Sequence, residues 1–191
     1  MNQDQWSRGQ WSRKPVSQRI EGNHLIVEAA EKSDWWRTTS YGFIHDDGHA
    51  LLTDFPDETS VEISFILDFR EQFDQCGIFI FSDDQHWVKS GVEFSDGAPQ
   101  LGAVVTAIKS DWSVAPVSDW FGKEVTIRAS RSRDAITLRA KCGGEYQLVR
   151  LLPIDPEARW LAGPMLCSPT RAGLQVRFTG WKVGKSDSAL H

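Results

Sequence analysis

Hydrophobic and polar residues alternate along much of the chain, in short runs separated by Gly, Pro, Asp or Ser. Within Ser60–Arg70, apolar side chains occupy alternate positions from Val61 to Phe69, and polar ones fill the positions between except at Ile66. A period of two puts the apolar side chains on one face of a strand. Helical periodicity is hard to find, so the pattern predicts an all-β chain.

Ten further segments show similar patterns, which gives about a dozen strands in all. They are His24–Ala30, Arg37–His45, Gln75–Ser82, His86–Phe94, Leu101–Lys109, Lys123–Ser130, Ala135–Lys141, Tyr146–Leu152, Arg159–Cys167 and Leu174–Val183. Turn sequences such as Asp46-Asp47-Gly48, Asp96-Gly97-Ala98-Pro99 and Cys142-Gly143-Gly144 favour antiparallel hairpins. Together these signals predict an antiparallel sandwich of two sheets.

The length of 191 residues fits one such domain, which we assign to residues 16–184. Residues 1–15 contain two copies of Gln-Trp-Ser-Arg, too few for a repeat architecture, and are expected to be a loosely held segment. Residues 185–191 are mostly small and polar and are expected to form a flexible tail.

Charge and composition argue against several classes of binding partner. The formal charge is −5 and the basic residues are scattered, so the basic patch of a nucleic-acid binder is missing. Neither a membrane-spanning apolar run nor a secretory signal is present. The three cysteines lack Cys-x-x-Cys spacing, which is typical of reduced thiols. We therefore expect a cytoplasmic protein without nucleic-acid or membrane partners.

Chemically useful side chains gather in His86–Phe94 and the strand after it. Alternation puts Trp87, Lys89 and Glu93 on one face, with Gly91 between the last two. A hairpin that pairs Phe94 with Leu101 would set Lys89 opposite Thr106. An aromatic plane, hydrogen-bond donors, an acceptor and free space are what a groove for a sugar or another polar ligand requires.

The residues just past this hairpin extend the candidate groove. Trp112 could close it and Asp111 could add a second carboxylate, while Arg128 could reach it from another strand. The ligand-binding candidates are thus Trp87, Lys89, Glu93, Thr106, Asp111, Trp112 and Arg128. The alternatives are a solvated sheet face, a turn in which Trp112 packs inward, and an exposed ion pair of Arg128. The sequence leaves both interpretations open.

Motifs for metals and cofactors are weak. Two clusters, Asp46-Asp47 with His49 and Asp83-Asp84 with His86, do not follow the calcium-loop pattern and are interpreted as turns. Gly-x-Ser-x-Gly and glycine-rich phosphate loops are absent from the sequence. We expect neither a metal nor a cofactor.

Several motifs together resemble one known family. They are Asp34-Trp35-Trp36-Arg37, Tyr41-Gly42-Phe43, Asp46-Asp47-Gly48-His49, Asp74-Gln75-Cys76-Gly77, Trp87-Val88-Lys89-Ser90-Gly91-Val92-Glu93, Val104-Val105-Thr106, Ser110-Asp111-Trp112-Ser113 and Gly163-Pro164-Met165-Leu166-Cys167-Ser168-Pro169. The chain resembles uncharacterised bacterial and fungal proteins grouped with the regulation-of-enolase protein, in the concanavalin A-like lectin/glucanase superfamily. The resemblance implies a jelly-roll sandwich whose concave face takes carbohydrate, and it implies no particular activity.

Three functions remain open at this point. The first is a non-catalytic domain that binds a carbohydrate or a polar metabolite. The second is a carbohydrate-active enzyme, a hydrolase or lyase, using Glu93 and Asp111; glucanases of this superfamily carry a Glu-x-Asp-x-Glu run that is missing here. The third is a regulatory protein that binds a metabolic enzyme. The sequence does not predict the oligomeric state.

Overall fold

The protein was analysed as a computed structural model, which describes residues 3–190. The described residues form sixteen strands and two short 3₁₀ turns, Gln3–Trp6 and Ser118–Trp120. The strands are β1 (Gln10–Trp11), β2 (Ser17–Glu21), β3 (His24–Glu28), β4 (Trp35–Arg37), β5 (Ile44–Asp46), β6 (His49–Asp54), β7 (Thr59–Ile66), β8 (Gln75–Asp83), β9 (His86–Ser95), β10 (Ala98–Ala107), β11 (Lys109–Pro116), β12 (Glu124–Ser132), β13 (Ala135–Lys141), β14 (Gln147–Pro153), β15 (Leu161–Cys167) and β16 (Gln175–Lys185). No described helix is long and apolar enough to cross a membrane.

The strands build two large antiparallel sheets of seven strands each. The first sheet has the order β1-β6-β15-β8-β9-β10-β11, and the second has the order β14-β13-β12-β7-β16-β3-β2. Strands β4 and β5 pair with each other as a separate hairpin. The predicted two-sheet antiparallel sandwich is therefore confirmed.

The main core lies between the two sheets and follows from the period-two pattern. On β7 the side chains of Val61, Ile63 and Phe65 are fully buried, whereas Glu62 and Ser64 on the other face are partly exposed. Each large apolar side chain removed from water in this way contributes about 2 kcal/mol. The alternation predicted for Ser60–Arg70 is confirmed over the length of β7.

The β9–β10 hairpin has a shorter turn than the sequence suggested. Asp96 and Gly97 both have positive φ, 53° and 79°, as a two-residue turn of a tightly connected hairpin requires. Ala98-Pro99-Gln100 therefore extend β10, and Leu101 lies opposite Val92. The predicted pairing of Phe94 with Leu101 is wrong by two residues, but a shift of two keeps every side chain on its predicted face.

A second apolar layer covers the outer face of the first sheet. The β4–β5 hairpin lays Trp35 on Phe79 of β8, with ring centroids 4.3 Å apart. Trp87 of β9 packs beside them, 5.6 Å from Phe79. These side chains belong to a buried cluster separate from the main core. The hairpin therefore lies on the sheet as a third layer.

The predicted strand Arg37–His45 is wrong, because the chain turns back within it. Thr38, Ser40 and Gly42 adopt positive φ values of 61°, 61° and 74°, which an extended strand does not allow. Residues 38–43 form a loop between β4 and β5. This loop carries two aromatic side chains to the edge of the candidate site.

The N-terminal segment, expected to be loosely held, packs in part on the sandwich. Trp6 is 5% exposed and lies 6.4 Å from the rings of both Phe178 and Trp181. Gln10 and Trp11 pair with β6. Burial of the Trp6 indole therefore ties this segment to the main core.

The C-terminal segment also makes specific contacts within the described residues. The carboxylate of Asp187 forms ion pairs with Arg128 and Arg139 of the second sheet. The carbonyl oxygen of Leu190 accepts a hydrogen bond from Arg139. These contacts hold the end of the described chain against β12 and β13.

Candidate functional site

A pocket of about 320 Å³ opens on the outer face of the first sheet, beside the β4–β5 hairpin. Its floor is formed by side chains of β9 and β10, and its walls are mainly aromatic. We call it the aromatic pocket. It is lined by Asp34, Trp36, Tyr41, Phe43, His45, Phe73, Lys89, Glu93, Val104, Trp112, Pro169 and Thr170.

The aromatic walls are held in a defined arrangement. The rings of Trp36 and Trp112 meet at 90° with centroids 6.5 Å apart. Tyr41 contacts Trp36 edge-on at 5.6 Å and stacks on Phe43 at 5.3 Å. The indole N–H of Trp36 donates to the carbonyl oxygen of Thr39 at 3.0 Å. The walls therefore combine rigid strand residues with a loop that is hydrogen-bonded to them.

A row of three glycines runs across the sheet beside this pocket. Gly77, Gly91 and Gly102 lie opposite one another on β8, β9 and β10. A Cβ on Gly77 would meet the carbonyl oxygen of Ser90 at 2.0 Å, so no larger residue fits there. Glu93 lies two residues from Gly91 and shares its face. The row leaves a shallow trough that opens between charged side chains.

Lys89 anchors a buried polar network under the pocket. Its Nζ donates to Asp34 Oδ1 and to Gln75 Oε1, both at 2.8 Å. Asp34 Oδ1 also accepts from the backbone N–H of Trp35 at 2.7 Å. Burial acts to lower the pKa of Lys89, but the negative charge of Asp34 outweighs it, and the pKa lies above its ordinary value. Lys89 therefore stays charged.

Glu93 is the unusual ionisable group of the site. Its side chain is half-buried, and it makes no hydrogen bond or ion pair with any residue that the structure describes. Burial raises the pKa of Glu93 to about 7; the charge of Lys89 lowers it, and those of Asp34 and Asp96 raise it further. At neutral pH, Glu93 can therefore be either neutral or ionised.

Three of the residues selected from the sequence meet in the pocket, namely Lys89, Glu93 and Trp112. Trp87 and Thr106 share their face of the sheet but are buried. Trp87 is 2% exposed beneath the β4–β5 hairpin, and Thr106 Oγ1 is 2.9 Å from Ser110 Oγ. The prediction that Trp87 is a stacking surface for a ligand is wrong, because Trp35 already covers its face of the sheet.

The other two selected residues lie elsewhere. Asp111 is opposite Val105 and so points to the other face of the first sheet from Glu93, where it pairs with Arg150 at 3.0 Å. The predicted carboxylate pair of Glu93 and Asp111 is therefore not formed. Arg128 lies in the second sheet, paired with Glu62 and Asp187. The ion pair of the alternative interpretation is observed, but it is not exposed, since the Arg128 side chain is 17% exposed.

Sequence reasoning missed nine of the twelve residues that line the pocket. Asp34 and Gln75 complete the Lys89 network, and Trp36, Tyr41 and Phe43 form much of the wall. The available signal was the density of aromatic residues in Asp34–His45, part of which was interpreted as a strand. Only the turned loop reveals that these side chains reach the same space as Glu93.

The two Asp/His turns have local roles. Asp47 Oδ1 accepts from the backbone N–H of Asp34 at 3.0 Å, and Asp83 Oδ1 accepts from that of Gln85 at 2.8 Å. His49 is buried and accepts from the backbone N–H of Ala30 at 2.9 Å. Across residues 3–190, no three His, Cys, Asp or Glu side chains gather in a way that would hold a metal ion.

Comparison with known proteins places the chain in a family. Residues 11–186 match the family described as "Protein of unknown function (DUF1349)". The chain belongs to this family. Regulation of enolase protein 1 of Saccharomyces cerevisiae is 35% identical over 187 residues, which are 97% of this chain and 94% of that protein. The predicted relationship to the regulation-of-enolase proteins is therefore confirmed.

Solved structures agree with the fold. A crystal structure of a functionally unknown protein from Saccharomyces cerevisiae has a TM-score of 0.89 at 34% identity, covering 96% of this chain and 99% of that one. A xylan beta-1,4-xylosidase from Bacillus halodurans has a TM-score of 0.70 at 16% identity, covering 95% of this chain and 38% of the xylosidase. The second likeness shows the fold alone, which is a two-sheet sandwich.

Proposed function

We propose that this protein binds a carbohydrate or a similar polar small molecule in the aromatic pocket, without transforming it. The observation that carries the proposal is the combination of aromatic walls with ionisable side chains in one pocket of about 320 Å³. Such a pocket offers apolar surface to the ring of a ligand and a few directed polar groups to its hydroxyls.

The polar groups are suited to hydroxyl recognition. Glu93 can accept a hydrogen bond when ionised, and donate one when neutral. Lys89 uses two of its three donors on Asp34 and Gln75, which leaves one that no described residue accepts. Trp112 is 38% exposed and presents a large aromatic surface.

Binding without catalysis is favoured because the pocket lacks a second free carboxylate among its described lining residues. Most glycoside hydrolases use a pair of carboxyl groups, one on each side of the scissile bond. Asp34 lines the pocket together with Glu93, but its carboxylate is committed to Lys89 at 2.8 Å. Glu93 therefore has no partner for that chemistry.

The test is saturation-transfer NMR followed by calorimetry against a panel of mono- and oligosaccharides. We expect Trp112→Ala to weaken the binding of any hit about tenfold, because the stacking surface is lost. Leu148→Ala, an exposed position on β14 in the other sheet, is the matched control and should leave affinity unchanged. A panel without a binder, or equal affinity in Trp112→Ala, would refute the proposal.

A protein partner is the second candidate, favoured by the name of the yeast relative, which points to enolase. The rim of the aromatic pocket exposes apolar side chains that a partner could cover, including Tyr41, Phe43 and Ile44. Size-exclusion chromatography of the protein with enolase from the same organism tests this candidate. Co-elution that is lost in Phe43→Ser would support it, and independent elution at micromolar concentrations would count against it.

We also propose that the protein works in the cytoplasm. Its three cysteines, Cys76, Cys142 and Cys167, are free thiols, and two of them are buried. Free thiols persist where the compartment is reducing. Fluorescence microscopy of a tagged chain, with the tag placed at either end, would test this.

A further inference from the structure

We propose that the aromatic pocket selects a ligand with a positively charged group, which would be a protonated amino sugar if the ligand is a carbohydrate. The sugar part of this inference rests on the proposed function, whereas the charge part does not. The charge part stands on two features of the pocket. One is a corner of aromatic rings, and the other is a carboxyl group that lines the pocket and makes no ion pair with any described residue.

The charges around the pocket do not cancel. Apart from the Tyr41 phenol, the ionisable side chains that line it are Asp34, His45, Lys89 and Glu93. Lys89 and Asp34 neutralise each other at 2.8 Å. His45 Nδ1 lies 3.7 Å from a carboxylate oxygen of Asp47. Glu93 makes no ion pair with a described residue, although the charge of Lys89 acts on it.

An anionic ligand is disfavoured by this arrangement. The nearby cation, Lys89, is already bound to a carboxylate, and Glu93 would repel a second negative group. A neutral ligand would gain nothing from the charge of Glu93 beyond ordinary hydrogen bonds. A cation would supply a counter-charge to Glu93, whose carboxyl group is itself half-buried and therefore less screened by water.

The aromatic corner adds a second attraction for a cation. Trp36 and Trp112 meet at 90° with centroids 6.5 Å apart, so a small cation in the angle between them can lie within about 6 Å of both rings. The faces of aromatic rings carry partial negative charge, and Trp attracts cations more strongly than Tyr or Phe. Perpendicular rings next to an acidic side chain suit an ammonium group.

Ligand binding should then be coupled to the proton of Glu93. The groups that act on Glu93 are Lys89 on its own strand, Asp34 before β4 and Asp96 in the β9–β10 turn, with the amides of Gln75 and Gln100 opposite it. Because the pKa of Glu93 is raised to about 7, a bound cation should displace its proton near neutral pH. Affinity for a permanently charged probe should rise about tenfold from pH 6 to pH 8.

The experiment is calorimetry on the full chain with four probes. Glucose, glucosamine and N-acetylglucosamine differ at one substituent, which is neutral, basic or acetylated, and tetramethylammonium carries the charge without a sugar. We expect glucosamine to bind at least about tenfold more tightly than glucose at pH 7, and N-acetylglucosamine no more tightly than glucose. Tetramethylammonium should show the rise in affinity with pH.

Variants assign the effect to Glu93. Glu93→Gln keeps the shape of the side chain but removes its charge, so it should lose the preference for the amine and the pH dependence. A pH dependence that persisted in Glu93→Gln would overturn the coupling to Glu93. Leu148→Ala, outside the pocket, is the control and should leave the preference for the amine and the pH dependence intact. Near-ultraviolet circular dichroism of each variant verifies that the aromatic walls keep their packing.

The outcomes separate this inference from the proposed function. Equal affinity for glucose and glucosamine, or tighter binding of the acetylated sugar, would overturn the charge selectivity and leave carbohydrate binding standing. Binding of tetramethylammonium without any sugar would support the charge selectivity and remove the carbohydrate. No binding of any of the four probes at millimolar concentration would overturn the inference.

Discussion

At the level of single residues, Lys89 holds the floor of the aromatic pocket together. Its side chain is 5% exposed, and its ammonium group joins Asp34, which precedes β4, to Gln75 of β8. A charge that has left water needs a partner of opposite sign and further hydrogen bonds. Lys89 therefore fixes the start of the β4–β5 hairpin to the first sheet.

Replacing Lys89 by Met should be strongly destabilising although Met has a similar length. The substitution leaves the mostly buried Asp34 carboxylate without its cation, and breaking such a pair costs about 3 kcal/mol. The free energy of unfolding from denaturant titration measures this loss. Asp34→Asn in the same background should restore part of the stability, because the orphaned charge is removed. Strictly additive losses in the double variant would contradict the pairing.

At the level of elements, the close packing of the neighbouring strands β8, β9 and β10 depends on glycines, which have no side chain. Gly77, Gly91 and Gly102 occupy opposite positions, and a Cβ on any of them would collide with the backbone of a neighbouring strand. Glycine in a strand interior normally weakens the strand. Three glycines side by side across the sheet therefore indicate that the strands approach one another closely. The trough next to the pocket is the outer face of the sheet at the place where these strands lie close together.

Gly91→Ala should therefore disturb this part of the sheet. The added methyl group would lie 2.1 Å from the carbonyl oxygen of Cys76 and 2.7 Å from Cα of Gly77, and both are backbone atoms that cannot rotate away. We expect a loss of about 3 kcal/mol in thermal or chemical unfolding. Gly184→Ala on β16 is the control, since its nearest neighbour is Ser60 Oγ at 3.5 Å. Equal stability of the two variants would refute the close approach.

The sequence predicts the core strands better than the pocket. The alternation around Ile63 and the turn at Asp96-Gly97 each encode a local geometry, so the sandwich and the faces of β9 follow from them. The edge strand β11 was not predicted, because Lys109–Pro116 is mostly exposed and carries no apolar stripe. The loop at residues 38–43 escaped because positive φ at Thr38 and Ser40 leaves no signal in hydrophobicity.

At the level of the whole molecule, His49 ties three parts of the chain together. It is fully buried on β6, its Nε2 accepts from the backbone N–H of Ala30 at 2.9 Å, and its Nδ1 is 3.1 Å from the carbonyl oxygen of Arg13. These bonds require a neutral ring with the proton on Nδ1, because Nε2 faces a donor. Burial, the largest influence, lowers the pKa of His49 below its ordinary value.

Stability should therefore depend on pH through His49. The unfolded chain binds a proton more readily than the folded one, so the contribution of His49 is complete above about pH 6.5 and declines as pH falls toward the folded pKa. Glu93 acts in the opposite direction, because its raised pKa makes the folded state more stable as pH falls from 7 toward 4.5.

The two contributions are separated by comparing variants. The stability difference between the wild-type protein and His49→Gln should shrink as pH falls from 7 to 5. The difference between the wild-type protein and Glu93→Gln should change with the opposite sign. Urea titrations at a series of pH values measure both differences. A His49→Gln difference that stays constant with pH would show that the ring does not titrate in this range.

The β4–β5 hairpin also determines when, during folding, the protein becomes able to bind a ligand. Lys89 and Asp34 are 55 residues apart, and the backbone N–H of Arg37 donates to the hydroxyl of Ser110, 73 residues away. Contacts of such long range form late and slowly, because each closes a large loop of chain. A chain still emerging from the ribosome would have no aromatic corner until β11 had docked, so ligand capture would report that the β4–β5 hairpin and β11 have come together.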